Sequence, residues 1–275
     1  MKVQEDTASL SSARSGLAWW RELLYCLAFY VAYSYVRNTL RLSTIGVEHA
    51  YHNAQRVISL ERAVGLFHEE GIQQVFLAHH AFMRFWNIYY GTLHFIVPIA
   101  ALVFLYRRHP DRYPLWRNTL ACTTALALIG FTLFPLMPPR LLDSAGPFGP
   151  GPFGSGIHYG FTDSLAVFGG LWSFDSATMQ RVSNQFAAMP SLHFAWALWC
   201  FLVLYRHLKS PIAKVAVALY PWLTLFAIIV TANHYWLDAL GGALALALGY
   251  VLGSALTRLN DRRRQGAVVS AGDPV

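Results

Sequence analysis

The chain has 275 residues, of which 55% are hydrophobic, 15% are aromatic and only 13% are Asp, Glu, Lys or Arg. Soluble domains carry about 25% charged residues, so this composition excludes a water-soluble or disordered protein. The mean hydropathy of +0.37 and the repeated apolar runs of helical length predict an all-α, polytopic membrane protein. The net charge of +7 does not indicate nucleic acid binding, because the cations lie at the edges of apolar segments.

Six apolar segments predict six transmembrane helices in a single membrane domain that covers residues 17–259. In chain order these segments are Leu17–Val36, Trp86–Tyr106, Arg117–Pro135, His193–Tyr205, Ile212–Val230 and Tyr235–Leu256. The fourth is short, since a bilayer of about 30 Å takes roughly 20 helical residues. We expect residues 1–16 to form a polar N-terminal segment and residues 260–275 to form a cytoplasmic tail.

The distribution of lysine and arginine predicts the orientation. If the N-terminus is cytoplasmic, 14 of the 21 cations fall on inner segments, as expected for a protein with both termini inside the cell. The connection from Arg37 to Phe85 then lies outside, and its apolar periodicity predicts interfacial helices, with an ordinary loop as the alternative. The outer loop from Leu136 to Pro190 is rich in Gly and Pro, which is typical of a lid or of a disordered linker.

Three polar motifs fall on the predicted outer side, at Met137–Arg140, Met189–His193 and Asn233–Asp238. Polar groups are costly at a membrane, so their clustering at one interface predicts a functional site there. His234 and Asp238 are four residues apart and share a helix face. The carboxylate can hold one imidazole nitrogen and leave the other as a nucleophile, although a structural polar pair at a helix end has the same pattern.

Two further motif residues add an anion site and a proton donor. Ser191 is predicted to cap a helix whose N-terminal N–H groups favour an anion beside His193. Arg140 has the geometry to bind phosphate, with an interfacial anchor as the alternative. A nucleophilic histidine, a second histidine and an anion site are what phosphoryl transfer requires. We therefore predict that His234, Asp238 and His193 are catalytic, and that Arg140 and Ser191 bind phosphate.

A polar stripe in the second predicted span gives a third set of candidates. Asn87, Tyr90 and His94 share one helix face and are predicted to contact a substrate head group. Interhelical hydrogen bonding is the alternative for Asn87 and Tyr90. We expect no metal ion and no cofactor, because the sequence has no H-E-x-x-H motif, no aspartate-rich motif and no cysteine cluster.

The motifs Pro190–His193 and His234–Asp238 resemble the second and third signature motifs of the type 2 phosphatidic acid phosphatase superfamily, in particular the branch of yeast inositol phosphorylceramide synthase. The order and spacing of the matching segments are more specific than any one of them. Supporting matches are Pro138–Arg140, Glu61–Glu69, Asn87–Tyr90 and His94–Phe95.

This resemblance implies a six-helix membrane core and a metal-independent, two-step reaction through a phosphohistidine. His234 would attack phosphorus, Asp238 would orient it, and His193 would protonate the leaving oxygen and then activate the acceptor. The implied substrate is a phosphorylated lipid of the glycerolipid, sphingolipid or polyprenyl type in the bilayer. The acceptor would be water in a phosphatase or an alcohol in a phosphotransferase.

The chain departs from the phosphatase pattern at two phosphate-binding cations, which are replaced by Leu133 and Ile228. This departure resembles the lipid phosphotransferase branch, and Arg181 is a candidate to supply one missing charge. Two other functions stay open. One is a transporter or lipid-binding protein with a structural His–Asp pair, and the other is an isoprenoid diphosphate phosphatase or cyclase on the same scaffold.

Overall fold

A computed structural model describes residues 44–271 except 147, 155 and 172–184, together with seven single positions between 20 and 31. Most of the predicted first span, and Arg181, lie outside the described residues. Within them the chain is all-helical, as predicted, and no strand is present. The helices are α1 (Thr44–Ala63), α2 (Glu69–Phe76), α3 (His80–Arg108), α4 (Tyr113–Leu133), α5 (Ser164–Phe168), α6 (Leu192–Leu204), α7 (Pro211–Val230) and α8 (Trp236–Ala271).

Three segments of the described chain are long and apolar enough to cross a membrane, namely His80–Arg108, Pro211–Val230 and Trp236–Arg263. They contain the second and fifth predicted spans and all of the sixth except Tyr235, and they support a membrane protein. The helix α8 continues to Ala271, past the predicted boundary of the cytoplasmic tail. The helix α4 has 21 residues and α6 only 13, and the total of six spans stays a prediction.

The short helix α6 lies inside the bundle and packs against α3, α4, α7 and α8. Its sequence is apolar all round, which is typical of a helix surrounded by other helices. Ala195, Trp199 and Val203 are fully buried, and the Trp199 indole donates a 3.0 Å hydrogen bond to the carbonyl of Trp116 on α4. The helix that carries His193 in its first turn is therefore held by four neighbouring helices.

Small residues allow α8 to approach α4 and α6 closely. A Cβ atom on Gly249 would lie 2.1 Å from Thr123 Oγ1, and one on Gly253 would lie 2.6 Å from the backbone nitrogen of Thr119. Glycines four residues apart permit this contact between helices. Gly242 has the same role at the other end of α8, where a Cβ would lie 2.3 Å from the Ser191 carbonyl oxygen.

The connection from Arg37 to Phe85, which was predicted to lie outside, contains two helices that fold onto the bundle. In α1, the Asn53 amide donates 2.9 Å to the Pro135 carbonyl, and the Ala50 carbonyl accepts a 3.1 Å bond from the Met137 N–H. In α2, Gln73 makes two 2.9 Å bonds to the backbone of Thr162. Helices were predicted in this connection. Their position at a membrane interface stays a prediction.

The Gly- and Pro-rich loop from Leu136 to Pro190 keeps the name outer loop after its predicted side. Its described parts are folded against the bundle and are not an unstructured linker. Asp143 accepts backbone N–H bonds from Tyr159 and Phe161 at 2.9–3.1 Å. Asp163 caps α5 by accepting from the backbone nitrogens of the following turn. The Asn87 amide donates 2.8 Å to the Ser164 carbonyl, and the Ser164 hydroxyl donates 3.2 Å to the Thr231 carbonyl, so the loop lies against the end of the bundle where the polar motifs meet.

Candidate active site

Polar side chains from four separate parts of the chain meet at one end of the bundle. Arg140 follows the end of α4, His193 lies in the first turn of α6, His234 lies between α7 and α8, and Tyr90 lies on α3. The end of α4, the start of α6, the end of α7 and the start of α8 come together here. The structure thus brings together three motifs that are far apart in the chain.

His234 and Asp238 form a buried pair at the start of α8. His234 Nδ1 lies 3.1 Å from Asp238 Oδ2, with the two residues 2% and 0% exposed. The same oxygen accepts a 3.0 Å bond from the Tyr235 N–H, which fixes the carboxylate. Because a carboxylate only accepts, Nδ1 donates, and the lone pair is left on Nε2. That Nε2 atom is buried and has no hydrogen-bond partner.

His193 faces this pair and is held between two aromatic rings of α3. Its ring stacks on Tyr90 with centroids 4.2 Å apart and an angle of 16°, and the His94 ring lies 4.1 Å away. The centroids of His193 and His234 are 5.5 Å apart. The Nε2 atom of His193 is also buried without a partner. Two imidazole nitrogens thus have no protein partner in one small volume.

Arg140 is 7% exposed and is bonded to three side chains from other parts of the chain. Its Nε donates 3.0 Å to Asn233 Oδ1, its Nη1 donates 2.8 Å to Asp163 Oδ2, and its Nη2 donates to Gln185 Oε1. A guanidinium has five N–H donors, so two remain for a ligand. Asp163 and Gln185 belong to the outer loop, and Arg140 therefore ties that loop to the site.

Ser191 and Asn87 form most of their hydrogen bonds with other groups of the protein. Ser191 Oγ accepts a 3.4 Å bond from the Phe194 N–H, which confirms the predicted cap of α6, and the Ser191 N–H donates 2.8 Å to the Asp238 carbonyl. Only its hydroxyl proton is left for phosphate. Asn87 makes three bonds of 2.8–2.9 Å to Ser164 and Gly169. Asn87 thus joins α3 to α5, as in the structural alternative.

The two replaced cations of the phosphatase pattern leave no charge at their positions. Leu133 is 73% exposed on the outside of the bundle. Ile228 is fully buried, and its carbonyl accepts a 3.2 Å bond from the His234 N–H. Arg140 therefore supplies the positive charge of the site among the residues that the structure describes.

Two acidic residues to which the sequence analysis assigned no role lie against the first turn of α8. Glu61 and Glu69 are both 0% exposed. Glu61 Oε1 accepts a 2.8 Å bond from the Leu237 N–H, and Glu69 Oε1 accepts a 3.3 Å bond from the Trp236 N–H. Burial and the nearby Glu69 raise the pKa of the Glu61 carboxyl to about 9. Their only sequence signal was the resemblance of the segment that contains them.

Long apolar helices around a buried His–Asp pair, a second histidine and an arginine define a helical membrane protein with a polar site at one end of the bundle. A family model of the PAP2 superfamily matches residues 55–252, which is more than half of the chain and includes all of these side chains. The chain belongs to the PAP2 superfamily. Membership indicates a phosphatase- or phosphotransferase-type function on a membrane scaffold. No curated protein sequence and no solved structure matched the chain.

Proposed function

We propose that this protein is an integral membrane enzyme that hydrolyses or transfers the phosphoryl group of a lipid phosphate ester through a phosphohistidine on His234. The observation that carries the proposal is the buried His234–Asp238 pair with His193 opposite it, each histidine having an unpartnered Nε2. A nucleophile, a group that orients it and a proton donor are the parts that such a displacement needs.

In the first step, the lone pair of His234 Nε2 attacks phosphorus. The bond between phosphorus and the lipid oxygen breaks, and that oxygen takes a proton from His193 Nε2. Asp238 stabilises the charge that develops on the His234 ring through the 3.1 Å bond to Nδ1. The products are the free lipid alcohol and a phosphoryl group bound to His234.

In the second step, His193 Nε2 takes a proton from the acceptor, whose oxygen attacks phosphorus. The bond from phosphorus to His234 breaks, and both histidines return to their starting state. A water acceptor completes hydrolysis, and an alcohol acceptor completes transfer. Tyr90 stacks on His193 and keeps its ring in place through both steps.

Phosphate binding falls mainly to Arg140. Its two remaining N–H donors can bind two phosphoryl oxygens, while Asp163, Gln185 and Asn233 fix the guanidinium plane. The Ser191 hydroxyl can donate one further bond. Because the charges expected at Leu133 and Ile228 are absent, we place the protein nearer to the inositol phosphorylceramide synthase-like phosphotransferases than to general phosphatases.

We further propose six membrane spans with both termini in the cytoplasm. The site then opens at the outer face, because the polar motifs lie at the opposite end of the helices from the arginine-rich turns. A phosphorylated lipid would enter from the bilayer with its chains along the apolar helix faces and its head group at Arg140.

The experiment that tests this function incubates the purified protein in lipid nanodiscs with a panel of phosphorylated glycerolipids, sphingolipids and polyprenyl phosphates. Mass spectrometry then identifies both products. Turnover of at least one lipid by the wild type, and its loss in folded His234→Ala and His193→Ala variants, is the expected result. Full turnover by either variant would overturn the mechanism. Proton-coupled flux without any lipid turnover would instead favour a transporter.

A further inference from the structure

The first turn of α8 is capped by two carboxyl groups from other helices. Helix N-termini leave backbone N–H groups without partners inside the helix, and these are usually satisfied by a local Ser, Thr, Asp or Asn. Here the Trp236 N–H donates to Glu69 on α2, and the Leu237 N–H donates to Glu61 on α1. Of the proposed catalytic pair, Asp238 lies in this turn and His234 lies just before it. The two glutamates of α1 and α2 therefore hold the backbone beside the pair.

The two carboxyl groups are buried together without a cation. Each uses Oε1 for the α8 backbone, and each Oε2 is buried with no other partner. The described residues place no lysine or arginine in an ion pair with either one. Arg62, the arginine next to Glu61 in the sequence, lies over the rings of Phe67 and Tyr159 at 4.8 and 5.9 Å. Two adjacent buried carboxylates would repel strongly, whereas one carboxylic acid can donate to the other carboxylate.

We propose that Glu61 and Glu69 share one proton at neutral pH and act as positioning residues that hold the first turn of α8 and thereby His234. Glu61 carries the proton, and its O–H donates a hydrogen bond to the Glu69 carboxylate. Loss of this proton leaves two adjacent carboxylates, which repel each other and weaken their hydrogen bonds to the first turn of α8. Lipid turnover should therefore decline at alkaline pH because this pair ionises, although neither glutamate touches the substrate. This inference rests on the proposed phosphoryl-transfer function.

The groups that surround the pair explain why it retains a proton. Asp238 on α8 and Tyr235 just before it face the pair, and Tyr159 from the loop lies near Tyr235. Asp238 adds negative charge that opposes ionisation, and the tyrosines carry no positive charge. Burial, the adjacent Glu69 and the charge of Asp238 raise the pKa of Glu61 to about 9. His68 and Arg62 are the basic groups nearest in sequence, and both residues are exposed.

An infrared measurement tests the shared proton without any substrate. The carbonyl stretch of a protonated carboxylic acid is separate from the carboxylate bands. We expect it in the wild type near pH 7, and we expect its loss as the pH passes about 9. Glu61→Gln should remove the band, while Glu48→Gln on the same helix, whose side chain is 44% exposed, should leave it unchanged. A wild-type spectrum without this band would overturn the proposal.

A kinetic measurement tests the positioning role. Gln at position 61 keeps an acceptor for the Leu237 N–H and a donor for Glu69 but does not titrate. We expect Glu61→Gln to keep kcat within about threefold of the wild type near pH 7 and to lose the alkaline decline. Glu61→Ala removes both bonds and should lower kcat by about 10²-fold, because small displacements of a reacting group have costs of that size.

The two readouts separate failure of this inference from failure of the proposed function. An alkaline decline in Glu61→Gln identical to that of the wild type would show that the pair does not set it, and would overturn the positioning role even with normal turnover. If the wild type turns over no lipid, the proposed function fails. The infrared band and its loss in Glu61→Gln then still decide whether the two glutamates share a proton.

Discussion

Asp238, in the first turn of α8, holds His234, four residues earlier in the chain, through a buried 3.1 Å hydrogen bond to Nδ1. The carboxylate is fixed in turn by the N–H of Tyr235, so it cannot rotate away from the imidazole. This relationship leaves His234 Nε2 as the only ring nitrogen with a free lone pair. The reactivity proposed for His234 therefore depends directly on Asp238.

Asp238→Asn should lower kcat by about 10³- to 10⁴-fold, because the Asn amide no longer fixes the Nδ1–H tautomer or stabilises the charged ring. Steady-state turnover of the best lipid in the panel measures the effect. Asp261→Asn, an exposed change further along the same helix, is the matched control and should be neutral. A kcat for Asp238→Asn within tenfold of the wild type would contradict the role of the pair.

Asp163→Asn should strengthen phosphate binding by Arg140. In the 2.8 Å ion pair between them, the Asp163 carboxylate offsets the charge of the guanidinium. The Asn side chain has no charge but keeps an oxygen that can accept the hydrogen bonds that cap α5. The freed charge should lower KM by about tenfold with little change in kcat, since a charge-assisted hydrogen bond contributes about 1.5 kcal/mol. A higher KM would show instead that Asp163 is needed to position Arg140.

Local patterns predicted the parts of the site that lie close together in the chain. The helix start at Pro190–Ser191 indicated the Ser191 cap, and the four-residue spacing indicated the proximity of His234 and Asp238, although His234 lies just before α8 and not within it. The partners of Arg140 were not predictable, because Asp163 and Gln185 come from separate parts of a long loop. Such contacts depend on the packing of the whole bundle.

The sequence did not predict where α3 starts or that Glu61 and Glu69 cap α8, and the reasons are related. The charge of Arg84 interrupts the apolar run, so the second span was predicted from Trp86, whereas α3 starts at His80 and buries Met83. Glu61 and Leu237 lie 176 residues apart, and no local pattern links them. From local sequence alone, an isolated glutamate in an amphipathic helix is predicted to face solvent. Its burial depends on a second helix that is distant in the chain.

Glu61→Gln should flatten the pH dependence of stability. The pKa of Glu61 is about 9 in the folded protein, against an ordinary value of 4.5, so the folded state retains the proton to higher pH than the unfolded chain. Its contribution is full below about pH 4.5, declines as the pH rises, and is lost above about pH 9. Thermal unfolding in detergent between these limits measures it. Equal slopes in the wild type and the variant would contradict this pKa.

Gly253→Ala should destabilise the bundle by about 1–3 kcal/mol, the range for an overpacked contact. The new Cβ would lie 2.6 Å from the backbone nitrogen of Thr119, and neither helix can move without disturbing its neighbours. Gly71→Ala is the matched control, because a Cβ there meets nothing within 4 Å and should be neutral or stabilising. Thermal unfolding compares the two. Similar midpoints would contradict the close contact between α4 and α8.

The central claim is a covalent bond between phosphorus and His234 Nε2. Rapid mixing of the protein with a lipid phosphate labelled at phosphorus, followed by an alkaline quench, preserves a phosphohistidine that acid then removes. We expect acid-labile label on the wild type, mapped by mass spectrometry to the peptide that contains His234, and none on His234→Ala. Turnover by a His234→Ala variant, or label on another residue, would contradict the account.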